Sequence, residues 1–250
     1  MKKALFVFCL SLVCATQSWS QVIFSDNFNS YTDGALIGQG PWVITGTSTV
    51  NPIQVNGGVV SLLNTGQDAN APVSGGPVTL SDGQSIDFSM DINVSAAQAA
   101  GDYFFHFTPD GGTSLFYSRV FIQSSDTGYL LGWLGTSGSG STVTYGSTVL
   151  SFNQSYNIDV YYNYSAATPT SSTGAISVDG SSYLTSSWTS PNADTSAIQS
   201  VNFRQGSSGS APTLTVDNLV VTISTVPEPS TFALATLGGV ACLFALRRKS

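Results

Sequence analysis

Carboxylates are the side chains of this sequence best suited to chemistry, and nearly all of them are aspartates. Of the fourteen acidic residues, the only glutamate is Glu228 near the C-terminus. Glycoside hydrolysis needs two carboxyl groups about 5–5.5 Å apart for retention or about 6.5–9.5 Å for inversion. Asp87 and Asp91 share one face of a predicted strand, but four residues at about 3.3 Å each separate them by about 13 Å. The sequence therefore predicts no catalytic pair on one strand, and aspartates paired between strands stay as an alternative.

His106 is the only histidine, and it lies in the stretch YFFHF. Strict alternation places Tyr103, Phe105 and Phe107 on one face of a strand, with Phe104 and His106 on the other. A catalytic triad would need a nucleophile beside this one base, and no G-x-S-x-G turn is present to supply it. We therefore expect a partly buried structural histidine and no catalytic residue of this type.

Calcium is the metal that suits the available ligands, because it prefers carboxylate, amide and carbonyl oxygens. Asp26 and Asn27 near the first strand, and Asp217 and Asn218 in the last, would approach one another if the terminal strands pair. These four residues are the predicted metal site, and the alternative is that they only end strands or cap turns. No other cofactor is expected.

Sugar binding needs exposed aromatic rings and polar side chains beside them. The segment YNIDVYYNY alternates, so Tyr156, Ile158, Val160, Tyr162 and Tyr164 form an apolar face. The opposite face carries the predicted carbohydrate-binding residues, Asn157, Asp159, Tyr161 and Asn163. Trp42, Trp133 and Trp188 are further possible platforms, although a tryptophan is more often part of the core.

Charge and cysteine content limit the partners of the central region, residues 21–225. Two arginines against thirteen aspartates leave a net charge of −11, with no lysine. Nucleic acids and anionic polymers bind clustered cations, so we expect neither as a partner, whereas neutral polysaccharide remains compatible. Cys9, Cys14 and Cys242 all lie outside this region. No disulfide can stabilise it, and it must depend on a hydrophobic core.

The central region is predicted to consist of strands separated by Gly, Ser, Thr and Asn. The clearest is IDFSMDINV, residues 86–94, in which apolar and polar residues alternate. Further strands are predicted over 103–107, 118–123, 129–134, 156–164, 175–178, 200–204 and 214–223, with a hairpin turn at Asp179–Gly180. Many short strands in one domain favour a two-sheet antiparallel jelly-roll sandwich. A β-helix is the alternative fold, and it is disfavoured because no short repeat is present.

Three short segments of this region resemble a known fold family. DNFNSYTDGALIGQGPW, ISVDG and VDNLVVTIS are similar to strands and turns of concanavalin A-like (laminin G-like) jelly rolls. The resemblance implies a jelly-roll body and paired terminal strands.

Both ends of the chain have the composition of targeting segments. Residues 1–20 begin with Lys2 and Lys3, continue with an apolar stretch and end in small residues, which is typical of a signal peptide cleaved after Ser20. Residues 230–246 carry no charge and are about long enough to span a bilayer as a helix. The basic cluster Arg247, Arg248 and Lys249 follows, and it predicts that the tail stays in the cytoplasm.

The C-terminal segment, residues 226–250, resembles the PEP-CTERM sorting signal of Gram-negative bacteria. The shared features are Pro227, Glu228 and Pro229, followed by the apolar stretch and then by the basic cluster. The resemblance implies export, recognition and cleavage of the tail by an exosortase-type membrane protease, and at least a transient stay in the inner membrane. The mature protein is then expected at the cell surface or in an exopolysaccharide matrix.

The sequence leaves three classes of function open. The leading expectation is a non-enzymatic surface or matrix protein that binds carbohydrate or has a structural role. The alternatives are a polysaccharide-active enzyme that uses aspartates and an adhesin that binds protein or ice.

Overall fold

The structure, a computed structural model, describes residues 20–109, 116–135, 142–164, 171–189, 197–206 and 209–225. For residues 171, 172, 187–189 and 225 it describes the backbone alone. These residues form eighteen strands: β1 Ser20–Asp26, β2 Gly34–Ala35, β3 Val43–Thr45, β4 Gln54–Asn56, β5 Val59–Leu62, β6 Asp68–Pro72, β7 Val78–Thr79, β8 Gln84–Ala96, β9 Asp102–Thr108, β10 Tyr117–Ser125, β11 Gly128–Leu134, β12 Thr144–Tyr145, β13 Ser155–Asn163, β14 Ser171–Val178, β15 Ser181–Thr189, β16 Ala197–Ile198, β17 Ser200–Phe203 and β18 Thr213–Thr225.

Two large antiparallel sheets form a sandwich. The nine-stranded sheet has the order β15-β14-β13-β8-β18-β5-β4-β2, and β1 also pairs with β18. The seven-stranded sheet has the order β12-β11-β10-β9-β17-β6-β3, and β7 pairs with β16 in a small separate sheet. The predicted jelly-roll sandwich is thus confirmed, and the β-helix alternative is wrong, because a β-helix is built from parallel strands. The chain crosses repeatedly between the sheets, so residues distant in sequence become neighbours.

The core between the sheets is aromatic. Phe88 of β8 lies with its ring centroid 4.7 Å from that of Phe105 and 5.1 Å from that of Phe107, both on β9. Trp42 stacks on Phe203 at 4.9 Å. Trp42 and Trp133 are both buried, so neither is a surface platform for a sugar. Burial of such rings is the main stabilising contribution available to a domain without cysteines.

In the central strands of the nine-stranded sheet, the alternation of apolar and polar residues explains which side chains are buried. In β8, the residues Ile86, Phe88, Met90, Ile92 and Val94 are all buried, as the sequence pattern predicts. The turn between β14 and β15 is also as predicted. Asp179 and Gly180 have φ angles of 49° and 73°, as a two-residue type I′ hairpin requires.

The terminal strands pair, as the resemblance implied. Ser20 of β1 lies opposite Ser224 of β18, and Asp26 lies opposite Leu219. The predicted signal peptide lies almost entirely in residues 1–19, and the predicted membrane helix lies in residues 226–250, so both fall outside the described residues. Among the residues that are described, none belong to a helix long and apolar enough to cross a membrane.

Candidate functional site

The outer face of the nine-stranded sheet carries the side chains that the sequence assigned to carbohydrate binding. Along β13, Asn157 and Asp159 are exposed and Tyr161 and Asn163 are half-buried, whereas Ile158, Val160 and Tyr162 of the same strand are buried. Because β13 has a neighbour on each side and pairs without interruption, its alternation is regular. The structure therefore brings these four polar residues together in one outward row.

A depression of about 470 Å³ lies beside Tyr161. It is lined by Tyr161, Thr173, Gly174, Ala175, Thr185 and Ser186. Ala175 of β14 lies opposite Tyr161 on one side and opposite Thr185 on the other. Because the Ala175 side chain is small, the protein surface is recessed between the Tyr161 ring and the Thr185 side chain.

The floor of this depression depends on a glycine. A Cβ atom on Gly174 would lie 2.6 Å from the indole ring of Trp133, which approaches from the opposite sheet. The backbone of β14 can come this close to the tryptophan only without a side chain. The position of the depression is thus fixed by packing between the two sheets.

Carboxylates continue the same face toward the centre of the sheet. Asp87 of β8 lies opposite Tyr161, and Asp159 lies opposite Ser89, so the two aspartates are diagonal neighbours on adjacent strands. Burial raises the pKa of Asp87, Ser224 lowers it by donating a hydrogen bond of 3.2 Å, and the Asp159 charge raises it further. Burial also raises the pKa of Asp159. The nine strands of this sheet contain no Lys, Arg or His, so the face offers acceptors and a negative potential.

A second group of polar side chains lies farther along the same face. Asp91 is directly opposite both Asn157 and Asp217. The amides of Asn157 and Asn218 each donate a hydrogen bond of 2.8 Å to the Asp91 carboxylate. This carboxylate therefore links three strands and holds both amide groups in fixed orientations.

The four residues assigned to calcium do not form one cluster of free ligands. Asp26 accepts hydrogen bonds from Tyr31 Oη at 2.5 Å, Trp42 Nε1 at 2.8 Å and the backbone N–H of Phe28 at 2.9 Å. It anchors a buried corner, while Asp217 and Asn218 belong to the Asp91 group. In the described part of the chain, no three His, Cys, Asp or Glu side chains lie close enough together to hold a metal ion. Calcium binding by Asp26, Asn27, Asp217 and Asn218 remains a prediction.

The outer face of the seven-stranded sheet has a different character. Tyr103, Phe121 and Leu134 form a second buried cluster there, separate from the main core. The guanidinium of Arg204 lies 4.3 Å from the centroid of the Tyr103 ring, and that of Arg119 lies 5.2 Å from it. Arg204 also forms an ion pair of 2.7 Å with Asp102. We call this group of side chains, together with His106, the Tyr103 cluster.

The predicted faces of β9 are wrong at its first two aromatic residues. Phe104 packs in the main core and Tyr103 on the outer face, the reverse of the alternation derived from YFFHF. The cause is the register shift after the pair Val120–Phe105, where one step along β10, to Phe121, matches two steps along β9, to Tyr103. A β-bulge reverses the side to which the following residues point, and the sequence pattern alone did not show it.

His106 is buried in the Tyr103 cluster and is only 2% exposed. Its ring makes edge contacts with Tyr103 at 5.3 Å and with Phe116 at 4.8 Å. Within the described residues, neither ring nitrogen has a hydrogen-bond partner. Burial lowers its pKa well below the ordinary value, and the charges of Arg204 and Arg119 lower it further. A general base needs a partner that orients it, and the structural role expected for His106 from the sequence remains a prediction.

The Tyr103 cluster is not predicted by the sequence pattern, although the sequence contains one signal of it. Arg119 and Arg204 are the only two cations between residues 4 and 246. Rare charges in an otherwise acidic body have few possible roles, and here both of them pack on the same tyrosine ring.

Comparisons with known proteins identify the C-terminal segment and the fold. Residues 225–249 match the PEP-CTERM protein-sorting motif, which confirms the predicted sorting signal. This motif marks an exported protein whose C-terminus is processed by an exosortase, a membrane protein. No curated protein matches the chain at a significant level.

Solved structures similar to this chain are β-sandwich proteins. The alginate lyase Aly36B has a TM-score of 0.55 and 18% identity, over 81% of this chain and 96% of that one. A mutant of Aly36B in complex with alginate tetrasaccharide has a TM-score of 0.52 and 19% identity, with coverage of 81% and 96%. The CBM2 module of the evolved Dit of Lactobacillus casei BL23 phage J-1 has a TM-score of 0.53 and 13% identity, with coverage of 84% and 98%. At these identities the likeness establishes the jelly-roll fold that this chain shares with them.

Proposed function

We propose that this protein is a non-enzymatic surface or matrix protein whose sandwich domain binds neutral polysaccharide around Tyr161. The depression beside the Tyr161 ring is the observation on which this proposal rests. A phenol ring can stack on the apolar face of a sugar, while the surrounding hydroxyl, amide and carboxylate groups bind its hydroxyls. Export through the sorting motif agrees with an extracellular ligand.

The charge of this face supports a neutral ligand. Asp87, Asp91, Asp159 and Asp217 project from adjacent strands without a cation among them. A uronic acid polymer would meet like charge here, whereas the hydroxyls of a neutral sugar would find acceptors. The resemblance to a fold seen with alginate tetrasaccharide is consistent with saccharide binding in general, but this surface favours a different class of saccharide.

Hydrolysis of polysaccharide is the second candidate function, and the diagonal pair Asp87 and Asp159 is the observation in its favour. Diagonal neighbours on adjacent strands are about 7–8 Å apart, which overlaps the spacing of the two carboxyls in inverting glycosidases. The pKa of each is raised, as an acid catalyst needs. Asp87 is half-buried and Asp159 is exposed, however, and both lie on an open sheet face that would leave a bound sugar chain in contact with water. We therefore place binding without turnover first.

A glycan array tests both candidates. The full chain is applied to neutral and uronic acid glycans, in calcium and in EDTA, and the soluble phase is analysed for released products. We expect binding to neutral glycans and no products. Tyr161→Ala should weaken binding about tenfold through loss of the ring contact, while Tyr161→Phe should keep it.

The other outcomes of this array overturn specific parts of the proposal. Product release that disappears in Asp159→Asn would favour the enzyme. Binding to uronic acid glycans alone would remove the Tyr161 face as the site. Binding that depends on calcium would support the predicted metal site at Asp26, Asn27, Asp217 and Asn218. If the chain binds none of the glycans, an adhesin for protein or ice, or a structural role, would be favoured.

We also propose that residues 230–246 anchor the chain in the inner membrane only until the exosortase cuts near Pro227, Glu228 and Pro229. The protein would then move to the cell surface or the matrix. Intact mass spectrometry of the surface protein from its native host should show a chain that lacks Arg247, Arg248 and Lys249. Replacement of the three motif residues by alanine should leave the chain full-length and membrane-bound, because the apolar segment and basic cluster are unchanged. Recovery of the unaltered chain with its RRKS terminus would show a permanent anchor.

A further inference from the structure

The sheet edges of the sandwich differ greatly in length. The seven-stranded sheet ends at β12 and β3, which have two and three residues. On one side the nine-stranded sheet ends at β2, with two residues, and at β1. On the other side it ends at β15, which has nine residues. Short edge strands give another chain little to pair with, so β15 is the edge that stands out.

β1 is interrupted and covered near its middle, whereas the register shift in β15, between Ser182 and Leu184, lies near the start of that strand. A register shift between Val22 and Phe24 interrupts β1, and Ser74 donates its backbone N–H to the carbonyl of Ile23 at 2.7 Å. In β15 the segment from Leu184 to Thr189 pairs continuously with Ser171–Ile176 of β14. Within the described part of the chain, no other backbone hydrogen bond involves β15. Its outward N–H and C=O groups thus form a regular row six residues long.

The composition of this edge lacks the features that normally block pairing. The segment LTSSWT contains no charge, proline or glycine, and such six-residue segments pair readily with other strands. In the whole hairpin from Ser171 to Thr189 the only charged residue is Asp179, which lies in the turn. The neighbouring strands β13, β8 and β18 all carry aspartates. The hairpin is therefore a neutral margin on a strongly acidic sheet.

We infer that β15 is a dimerisation edge, which pairs antiparallel with β15 of a second copy of this chain. Two copies of a body with a net charge of −11 repel each other over most of their surface, and the neutral margin is where that repulsion is smallest. An uncharged strand is also compatible with its own copy across a twofold axis, as an isologous interface requires. The dimer would join two nine-stranded sheets and place two Tyr161 depressions on one continuous face.

Complementary charges at Thr185 test this inference. Thr185 is an exposed residue of the regular segment. The full chain in detergent should be a dimer by native mass spectrometry and sedimentation velocity. Thr185→Lys and Thr185→Asp should each dissociate it, because each variant brings two like charges to the otherwise neutral edge that the two copies share. An equimolar mixture of the two variants should form a heterodimer.

The controls separate this edge from other routes to association. Ser155→Lys and Ser155→Asp place the same charges on an exposed residue of β13, a strand with neighbours on both sides, and should leave the dimer intact. Circular dichroism confirms that each variant is folded. A monomeric unaltered chain would overturn the inference. So would a dimer that persists in both Thr185 variants, which would point to the C-terminal segment or another surface.

Discussion

The two outer faces of the sandwich divide the charges of the domain between them. On the nine-stranded sheet, aspartates of β8, β13 and β18 face solvent, and its strands contain no cation. On the seven-stranded sheet, Arg119, Arg204 and His106 gather with Asp102 around the ring of Tyr103. One face is open, polar and acidic, whereas the other is closed and aromatic.

The two arginines of the domain both pack on the Tyr103 ring of the closed face. The guanidinium of Arg204 forms an ion pair with Asp102 and makes a cation–π contact with the Tyr103 ring. Gly206 lets the pair close, since a Cβ atom there would lie 2.4 Å from Asp102 Oδ2. On the acidic face, the described residues include no cation that could pair with Asp159 in the same way. Stability should therefore depend on the closed face, and recognition on the open one.

Removal of Arg204 should have the largest effect on stability. Arg204→Leu eliminates the ion pair and the contact with the Tyr103 ring, and it leaves the Asp102 charge partly buried. We expect a loss of about 2 kcal/mol in the free energy of unfolding, less than for a fully buried pair because both side chains keep some contact with water. Urea unfolding followed by tryptophan fluorescence measures it.

A second variant checks the cause of that loss. Asp102→Asn combined with Arg204→Leu should recover part of the stability, because no unpaired charge remains. No recovery would mean that ring packing alone accounts for the effect. A loss below about 0.5 kcal/mol in the single variant would show that the Tyr103 cluster matters little, and the comparison between the two faces would fail.

Acidification should act on the closed face through His106. Burial and the two arginines lower the pKa of this histidine in the folded state, so the unfolded chain takes up the proton first. The stability present at pH 7.5 should fall as the pH drops below the ordinary pKa of histidine, by at most about 2 kcal/mol at pH 5. His106→Phe should not show this part of the loss, because Phe cannot titrate and can make the same ring contacts. Parallel pH profiles of the two proteins would contradict the assignment.

The sequence predicted the open face better than the closed one, for a structural reason. β8 and β13 are long, pair with each other over nine residues without a shift and alternate strictly, so the outward positions of Asp159 and Tyr161 follow from period two. In β9 a register shift between Phe105 and Tyr103 breaks that rule, and Tyr103 and Phe104 exchange sides. Register shifts arise from pairing with another strand, which a single segment does not reveal.

Long-range contacts explain what else the sequence left open. Asp26 resembles a metal ligand until Trp42, sixteen residues later, donates its indole N–H to it. Arg119 and Arg204 are eighty-five residues apart, and only the pairing of β9 with both β10 and β17 brings them to one tyrosine. The depression beside Tyr161 likewise depends on Trp133 from the other sheet, beneath Gly174. None of these contacts follows from residue spacing.

The smallest expected effect on stability comes from the open face. Its pH dependence is opposite to that of His106, because here stability falls as the pH rises. Burial raises the pKa of Asp87 and of Asp159, so the fold favours their neutral forms and ionisation at pH 7 costs some stability. Because the folded chain holds these protons more tightly than the unfolded chain, stability from this source falls as the pH rises above the ordinary aspartate pKa of 3.8. Asp159→Asn should therefore raise the free energy of unfolding at pH 7 by about 0.5 kcal/mol, and the gain should vanish near pH 3.

Asp91→Asn is the matched control on the same face. The Asp91 carboxylate accepts hydrogen bonds from Asn157 and Asn218, so this substitution should destabilise the protein. If both substitutions destabilise at pH 7, the acidic face stabilises the fold after all, and the division of roles between the two faces is wrong.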